Sequence, residues 1–158
     1  MALTRHFTAT GFVVHEGCIA LHWHAKVKAW LPPGGHIEPN EDPVQAVLRE
    51  VSEETGLAAR VVPTAPRLDL AYPMQVEPPY TIMVEDIDDP VQGFHQHIDL
   101  IYFCRIASSP AKLHDGWLWV SRHELATGAS LSLVGRAAAV PPDDVRTLGM
   151  MAIDLLQD

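Results

Sequence analysis

The sequence predicts an α/β domain in which helices cover the faces of a β-sheet. Three observations carry that prediction. Strand and helix signals are interleaved along the chain, which sets helices against a sheet. The 158 residues suit one domain, 1–158, long enough to bury a core without disulfide staples. Hydrophobic residues make up 47% and charged residues 20%, the balance of a folded globular chain.

Residues 6–15 are rich in β-branched and aromatic types and predict the first strand. Glu16-Gly17 predicts a tight turn, and residues 18–24 the returning strand of a hairpin. Trp30 to Ile37 surrounds Pro32-Pro33-Gly34-Gly35 and predicts strand ends about a Pro/Gly loop. Asp42 followed by Pro43 opens a helix. Asp caps the free amides, Pro suits the first helical position, and Gln45 completes a capping box. Gly56 closes that helix with a left-handed cap, so it spans about 43–55.

Beyond the helix, 58–63 and 67–71 predict extended segments broken by Pro63, Pro66 and Pro73. Tyr80 to Glu85 and Ile98 to Ile106 are strong strand signals, and the polar stretch Asp86 to Gln96 between them predicts a long loop. Trp117 to Val120 predicts a short strand. Ser121 and Glu124 then cap a short helix reaching Ala126. Val145, Leu148, Ala152 and Leu155 recur at helical spacing, which predicts an amphipathic helix over about 142–156.

The charge balance is −9, from 11 Lys plus Arg and 20 Asp plus Glu, without a basic block. That excludes sequence-independent nucleic-acid binding and attachment to an anionic membrane, both of which rest on Lys and Arg. A small polyanionic substrate is compatible with it where a divalent cation neutralises the phosphates. Cys18 and Cys104 make no disulfide framework and show no metal-ligand spacing, so two reduced, buried thiols are expected. The first residues lack a signal-peptide pattern, and no apolar run approaches the roughly 18 residues of a membrane span. The expectation is a soluble protein of the reducing cytoplasm.

The chemistry lies in residues 35–57. On a helix turning about 100° per residue, Glu54 lies about 40° to one side of Glu50 and Glu53 about 60° to the other. Three carboxylates share a face, while Val44, Val47, Leu48, Val51 and Thr55 form the adjoining stripe that packs on the sheet. Such like charges destabilise a bare helix. They are tolerated where a hard divalent cation sits among them, keeping waters for a phosphate to displace. The full pattern runs Gly35, five residues, Glu41, seven residues, Arg49-Glu50, Val51, one residue, Glu53-Glu54, one residue, Gly56, Leu57. It resembles the signature of the Nudix (MutT-like) hydrolase family at every fixed position.

That resemblance implies a Nudix-type α/β/α sandwich, with a mixed sheet between helices. It also implies cleavage, dependent on Mg²⁺ or Mn²⁺, of a diphosphate linkage in a small nucleotide-type compound. With the helix geometry, it implies Glu50, Glu53 and Glu54 as metal ligands, with the backbone carbonyl of Gly34 added. Glu50 and Glu54 are the foremost of these, and Glu53 either ligates or positions the attacking water. Glu50, Glu53 and Arg49 are the catalytic candidates. Arg49 flanks the acidic face and can grip a carboxylate with two hydrogen bonds, holding its rotamer. Glu41 ties down the loop, and Gly34-Gly35 lets the backbone approach the ion. Among the acidic residues outside the helix, Glu85 and Asp99 are the first candidates for a further ligand or base.

The chain has nine histidines. His22 and His24 share one face of a strand, and His95 and His97 repeat that spacing with Asp99 continuing it. These four invite either a second, transition-metal site or a role lining the substrate pocket, and the pocket is preferred. The Asp86 to Gln96 loop is expected to close over the bound compound and help select its non-phosphate part. Trp23, Trp30, Trp117 and Trp119 are expected in the core or cleft wall. Two alternatives compete: a non-catalytic Nudix-like nucleotide-binding module, which would typically lose the helix glutamates, and an isopentenyl-diphosphate isomerase-like enzyme, which would need a catalytic cysteine. A homodimer through the C-terminal helix and first strands is compatible with the sequence.

Overall fold

A computed structural model describes residues 3–107, 111–136 and 138–157. The elements run β1 (Arg5–His15), β2 (Cys18–His24), β3 (Ala29–Leu31), β4 (Gly34–His36), α1 (Pro43–Thr55), β5 (Ala59–Val61), β6 (Thr81–Asp89), β7 (Gly93–Ile106), β8 (Trp117–Ser121), α2 (Arg122–Thr127) and α3 (Asp143–Leu155). All eight strands join one mixed sheet. Its centre is a parallel pairing of β1 with β7, from Arg5 opposite Gln96 to Val14 opposite Arg105. The other edge of β1 is divided between β4, opposite Thr8 to Thr10, and β2 beyond it. The outer edge of β7 is divided between β6 and β5.

The local signals translate directly. Glu16 and Gly17 both take positive φ, 48° and 71°, in the two-residue turn of the β1–β2 hairpin. The Asp42 side chain accepts the amides of Val44 and Gln45, and Gly56 closes α1 at φ 77°. Ser121 and Glu124 form the same box at the start of α2.

Side-chain alternation along the central strands builds two cores. Ala9 and Val13 of β1, with Tyr102 and Cys104 of β7, bury against Ala46, Val47 and Val51 of α1. Phe12 and Val14, with Ile101 and Phe103, face the opposite way, toward Val145, Leu148 and Ala152 of α3. The sheet is therefore sandwiched between α1 and the α2–α3 pair, as expected. At Gly11 a Cβ would stand 2.9 Å from Val47 Cγ2, so the missing side chain is what lets α1 lie close on β1.

Four expectations need correction. The stretch 67–71 is no strand. Residues 62–80 run irregularly, because Pro63, Pro66 and Pro73 remove ladder donors and side chains supply the ties instead. Glu77 Oε1 accepts Thr64 N–H, and Gln75 Oε1 accepts Leu68 N–H. The stretch 86–96 is mostly paired strand rather than a long loop. The β6–β7 ladder continues to Asp89 opposite Gly93, and only a short turn remains. There the Asp89 carboxylate accepts the amides of Val91 and Gln92, and Gly93 takes φ 76°. On α3, Leu155 is 54% exposed, and the buried stripe instead includes Gly149 and Ile153. Of the two free thiols, Cys104 is buried but Cys18 only half-buried. Among the described residues, no helix is long and apolar enough to cross a membrane.

Candidate active site

The capped start of α1 and its apolar stripe leave Arg49, Glu50, Glu53 and Glu54 off the sheet. Arg49 organises them. Its Nε and one terminal nitrogen donate to the two oxygens of Glu41, at 3.0 and 2.6 Å. The other terminal nitrogen donates to Glu50 at 2.7 Å and to Glu53 at 3.3 Å. A further bond reaches the carbonyl of His36 at 3.1 Å. One guanidinium thus ties β4 and the following loop to the helix, with the two-pronged grip only Arg can make. Glu41 also accepts the Glu38 amide at 2.9 Å, and its bond to Arg49 holds its carboxyl below the usual range. The expected loop-tying role of Glu41 matches these contacts.

Glu54 is part-buried at the cleft wall. Its Oε2 accepts the Gly34 amide at 3.0 Å. Loss of hydration, then the charges of Glu50 and Glu53, push its carboxyl up to about 7 against that hydrogen bond. The geometry of β4 explains how Gly34 can serve. Gly11 N–H donates to Pro33 and Ile37 N–H to Phe7, so Gly34 falls at a non-bonded position of the β1–β4 ladder. Its amide and carbonyl both point away from β1. The two glycines are needed for close packing at this point. A Cβ on Gly34 would stand 2.6 Å from Thr10 Oγ1, and one on Gly35 would stand 2.6 Å from the Glu50 carboxyl carbon.

Beside this cluster lies a cleft of about 660 Å³, within the usual range for small-molecule sites. Gly34, Gly35 and Glu54 form one wall. The floor is the sheet face carrying Thr8, Thr10, Asp99 and His97, and β6 adds Glu85 directly opposite His97. Asp99 is 5% exposed, and its two oxygens accept the hydroxyls of Thr8 at 2.9 Å and Thr10 at 2.7 Å. Burial raises its pKa while those two bonds oppose the rise. Glu85 is exposed as a residue, yet its carboxyl stands in the cleft, where lost hydration and the Asp99 and Asp144 charges push it up to about 7. At the far end the β2–β3 turn meets the β6–β7 turn, with Lys26 Nζ 3.7 Å from Asp89.

The structure brings together most of the residues named from sequence. Glu54, Gly34, Glu85, Asp99, His22, His24, His95 and His97 all line the cleft. Arg49, Glu50 and Glu53 are not among its lining residues; Arg49 holds both carboxylates beside it and reaches the carbonyl of His36 on its wall. His22 stacks on Trp117, with ring centroids 4.3 Å apart, and its pKa falls to about 4 through burial and then His24. None of the four tryptophans lines this cleft. Neither cysteine does either, which removes the basis of an isomerase-like reading. Both histidine pairs line this one cleft, His22 and His24 from β2 and His95 and His97 from β7. His95 and His97 also meet His6 and His36. Sequence reasoning missed Thr8, Thr10, His6 and His36. Their signal is the alternation of β1, readable only once β7 is known to lie beside it.

The donor set suits a hard divalent cation. Glu50, Glu53 and Glu54 offer carboxylate oxygens on the helix face beside Gly34, whose carbonyl points away from β1, and among the described residues Arg49 pairs with Glu50 and Glu53.

A model of the NUDIX domain matches residues 5–140. A NUDIX-family hydrolase from Clostridium perfringens shares the fold with TM-score 0.75 and 28% identity, over 98% of this chain and 100% of that one. The asymmetrical bis(5'-nucleosyl)-tetraphosphatase of Rattus norvegicus is 34% identical over 74 residues, 43% of this chain and 50% of its own length. An RNA pyrophosphohydrolase of Erythrobacter litoralis is 30% identical over 104 residues, 61% of this chain and 62% of its own. The chain thus spans about half to three-fifths of these two relatives. With a family match from Arg5 to Val140 and the Arg49-centred carboxylate cluster inside it, the chain belongs to the NUDIX family.

Proposed function

We propose that this protein is a pyrophosphohydrolase that cleaves a phosphoric anhydride bond in a small nucleotide-type diphosphate compound, with Mg²⁺ or Mn²⁺ bound. The observation that carries the reading is the Glu54 carboxyl, held by the Gly34 amide at the cleft wall beside Glu50 and Glu53. The relatives' names, a dinucleoside tetraphosphatase and an RNA pyrophosphohydrolase, support the same bond type. A non-catalytic module would have no use for the intact carboxylate set.

In this reading Glu50, Glu53, Glu54 and the Gly34 carbonyl hold the cation. When bound, it neutralises phosphate oxygens and acidifies water. Arg49 fixes Glu50 and Glu41 so that the donors are preorganised. Water attacks one phosphorus, the anhydride P–O bond breaks, and the leaving phosphate carries away the bond electrons. The water proton passes to a carboxylate. Glu53, 62% exposed, and Glu85, with a pKa near neutrality, are the candidates to accept it. His22, His24, His95 and His97 bind the substrate, those shifted to about 4 as neutral donors. The β6–β7 hairpin forms the far wall as a paired strand arm.

The whole chain acts as one domain in this account, in a reducing cytoplasm that suits its two free thiols. Exposed Phe7, Ile82, Val84 and Phe94 support a homodimer, which light scattering tests. The function is tested by incubating the protein with dinucleoside polyphosphates, nucleotide sugars and ADP-ribose in Mg²⁺ or Mn²⁺. Nucleotide products should form with at least one of them and vanish with EDTA. No product from any, with folded protein and either metal, overturns the reading.

A further inference from the structure

Four imidazoles from three strands converge at the rim of the cleft. His6 lies opposite His97 in the parallel β1–β7 register. His95 is two residues before His97 on the same face, and His36 follows from the pairing of β4 with β1 at Thr8. Ligand nitrogens of His6, His95 and His97 all lie within 4.8 Å of one another. His36 Nε2 is 3.3 Å from His6 Nδ1, and the Nε2 atoms of His95 and His97 are 3.2 Å apart. A tetrahedral site with Zn–N bonds of about 2.05 Å has edges of about 3.3 Å, so the His95–His97 pair already sits at the spacing of two ligands on one ion, and His6 is near enough to supply a third.

The protonation pattern agrees. His95 Nδ1 lies 2.9 Å from the Gly93 carbonyl, and donation there leaves Nε2 with a free lone pair. A ligand histidine that donates its other nitrogen to a backbone carbonyl is the usual supporting arrangement behind a metal. Carboxyls near this group are Glu85, across from His97, Asp89, whose charge acts on His95, and Asp99, which the two threonine hydroxyls occupy.

We propose that His6, His95 and His97, with His36 hydrogen-bonded beside His6, form a second metal site, separate from the carboxylate cluster. Its ligand is a borderline first-row dication such as Zn²⁺, Co²⁺ or Ni²⁺. Imidazoles suit these ions, whereas Mg²⁺ takes oxygen donors. The ion pins the root of the β6–β7 hairpin to β1 and β4, and sets a fixed positive charge at the edge of the substrate cleft. This goes beyond the hydrolase reading and moves His95 and His97 from substrate donors to metal ligands, and its failure leaves the hydrolase reading standing. The rival is a metal-free cluster of hydrogen-bonded imidazole pairs.

The test uses the full chain without an affinity tag, titrated with Co²⁺ in excess Mg²⁺ and read by visible absorption. Zn²⁺ retained after dialysis against Mg²⁺ is measured by mass spectrometry. Stoichiometric retention and a tetrahedral Co²⁺ spectrum are expected. His95→Ala and His6→Asn should each weaken Co²⁺ binding by about a hundredfold or more, since even groups behind a ligand contribute about 10–100-fold. Glu54→Gln should leave Co²⁺ affinity unchanged. His6 is only partly buried, so its variant tests the site even if His95→Ala fails to fold. Absence of retained metal, histidine variants with wild-type affinity, or equal loss in Glu54→Gln each overturns the proposal.

Discussion

Replacing Glu54 by Gln should abolish turnover and at the same time make the metal-free protein more stable above neutral pH. In the folded chain lost hydration, then Glu50 and Glu53, hold the Glu54 carboxyl at about 7, against 4.5 ordinarily. At ~1.36 kcal/mol per pH unit that difference is about 3 kcal/mol. The carboxyl retains contact with water, and screening reduces the figure to about 1–2 kcal/mol. The folded pKa lies above the unfolded one, so between about pH 4.5 and 7 the folded chain keeps a proton that the unfolded chain has lost. The stability linked to that proton is complete below about 4.5, falls as pH rises, and is gone above about 7. Gln never ionises and can still accept the Gly34 amide. The variant should therefore gain about 1–2 kcal/mol at pH 8, or roughly 2–8 °C in Tm, and nothing near pH 4. Urea unfolding in EDTA at the two pH values measures the gain, and turnover in saturating Mg²⁺ measures the loss. A gain independent of pH, or a loss at pH 8, refutes the electrostatic argument. Unchanged turnover refutes the metal role.

Arg49→Lys removes the two-pronged grip on Glu41 and the link to Glu50, so kcat should fall by about 10–100-fold with far-UV circular dichroism unchanged. Wild-type kcat would show that Arg49 is only a surface partner. Gly35→Ala places a methyl against the Glu50 carboxyl, which should cost about 1–3 kcal/mol by urea unfolding and lower kcat as that carboxylate is displaced. A neutral effect on both would mean the neighbouring side chain yields freely. Mn²⁺ with a nucleoside diphosphate should raise the melting temperature, by about 2.7 kcal/mol of linkage at a hundredfold excess over Kd. No shift with any metal–nucleotide pair would argue for a degenerate site.

What was readable in the sequence was local. The α1 boundaries follow from Asp42, Pro43, Gln45 and Gly56, whose effects act within a turn. The common face of Glu50, Glu53 and Glu54 follows from helical pitch alone. The role of Arg49 was readable in kind, but its partners Glu41 and the His36 carbonyl lie across a loop. The β6–β7 arm was hidden because its acidic residues imitate loop composition. A hairpin arm with much of its surface in solvent needs no apolar alternation. Thr8 and Thr10 carry no mark of their own, and they matter only because Asp99 arrives beside them through a long-range pairing.

That pairing has a consequence for the order in which the site can form. The Thr8–Asp99 contact joins residues 91 apart, and closing a loop of that length costs about 4 kcal/mol of chain entropy. The carboxylate helix, by contrast, needs only neighbours within about a turn. During synthesis the chain can display its whole recognisable motif, with Arg49 already holding Glu41, long before β7 exists to complete the cleft floor. A fragment ending before β7 would carry every signature residue and no place for a substrate to lie.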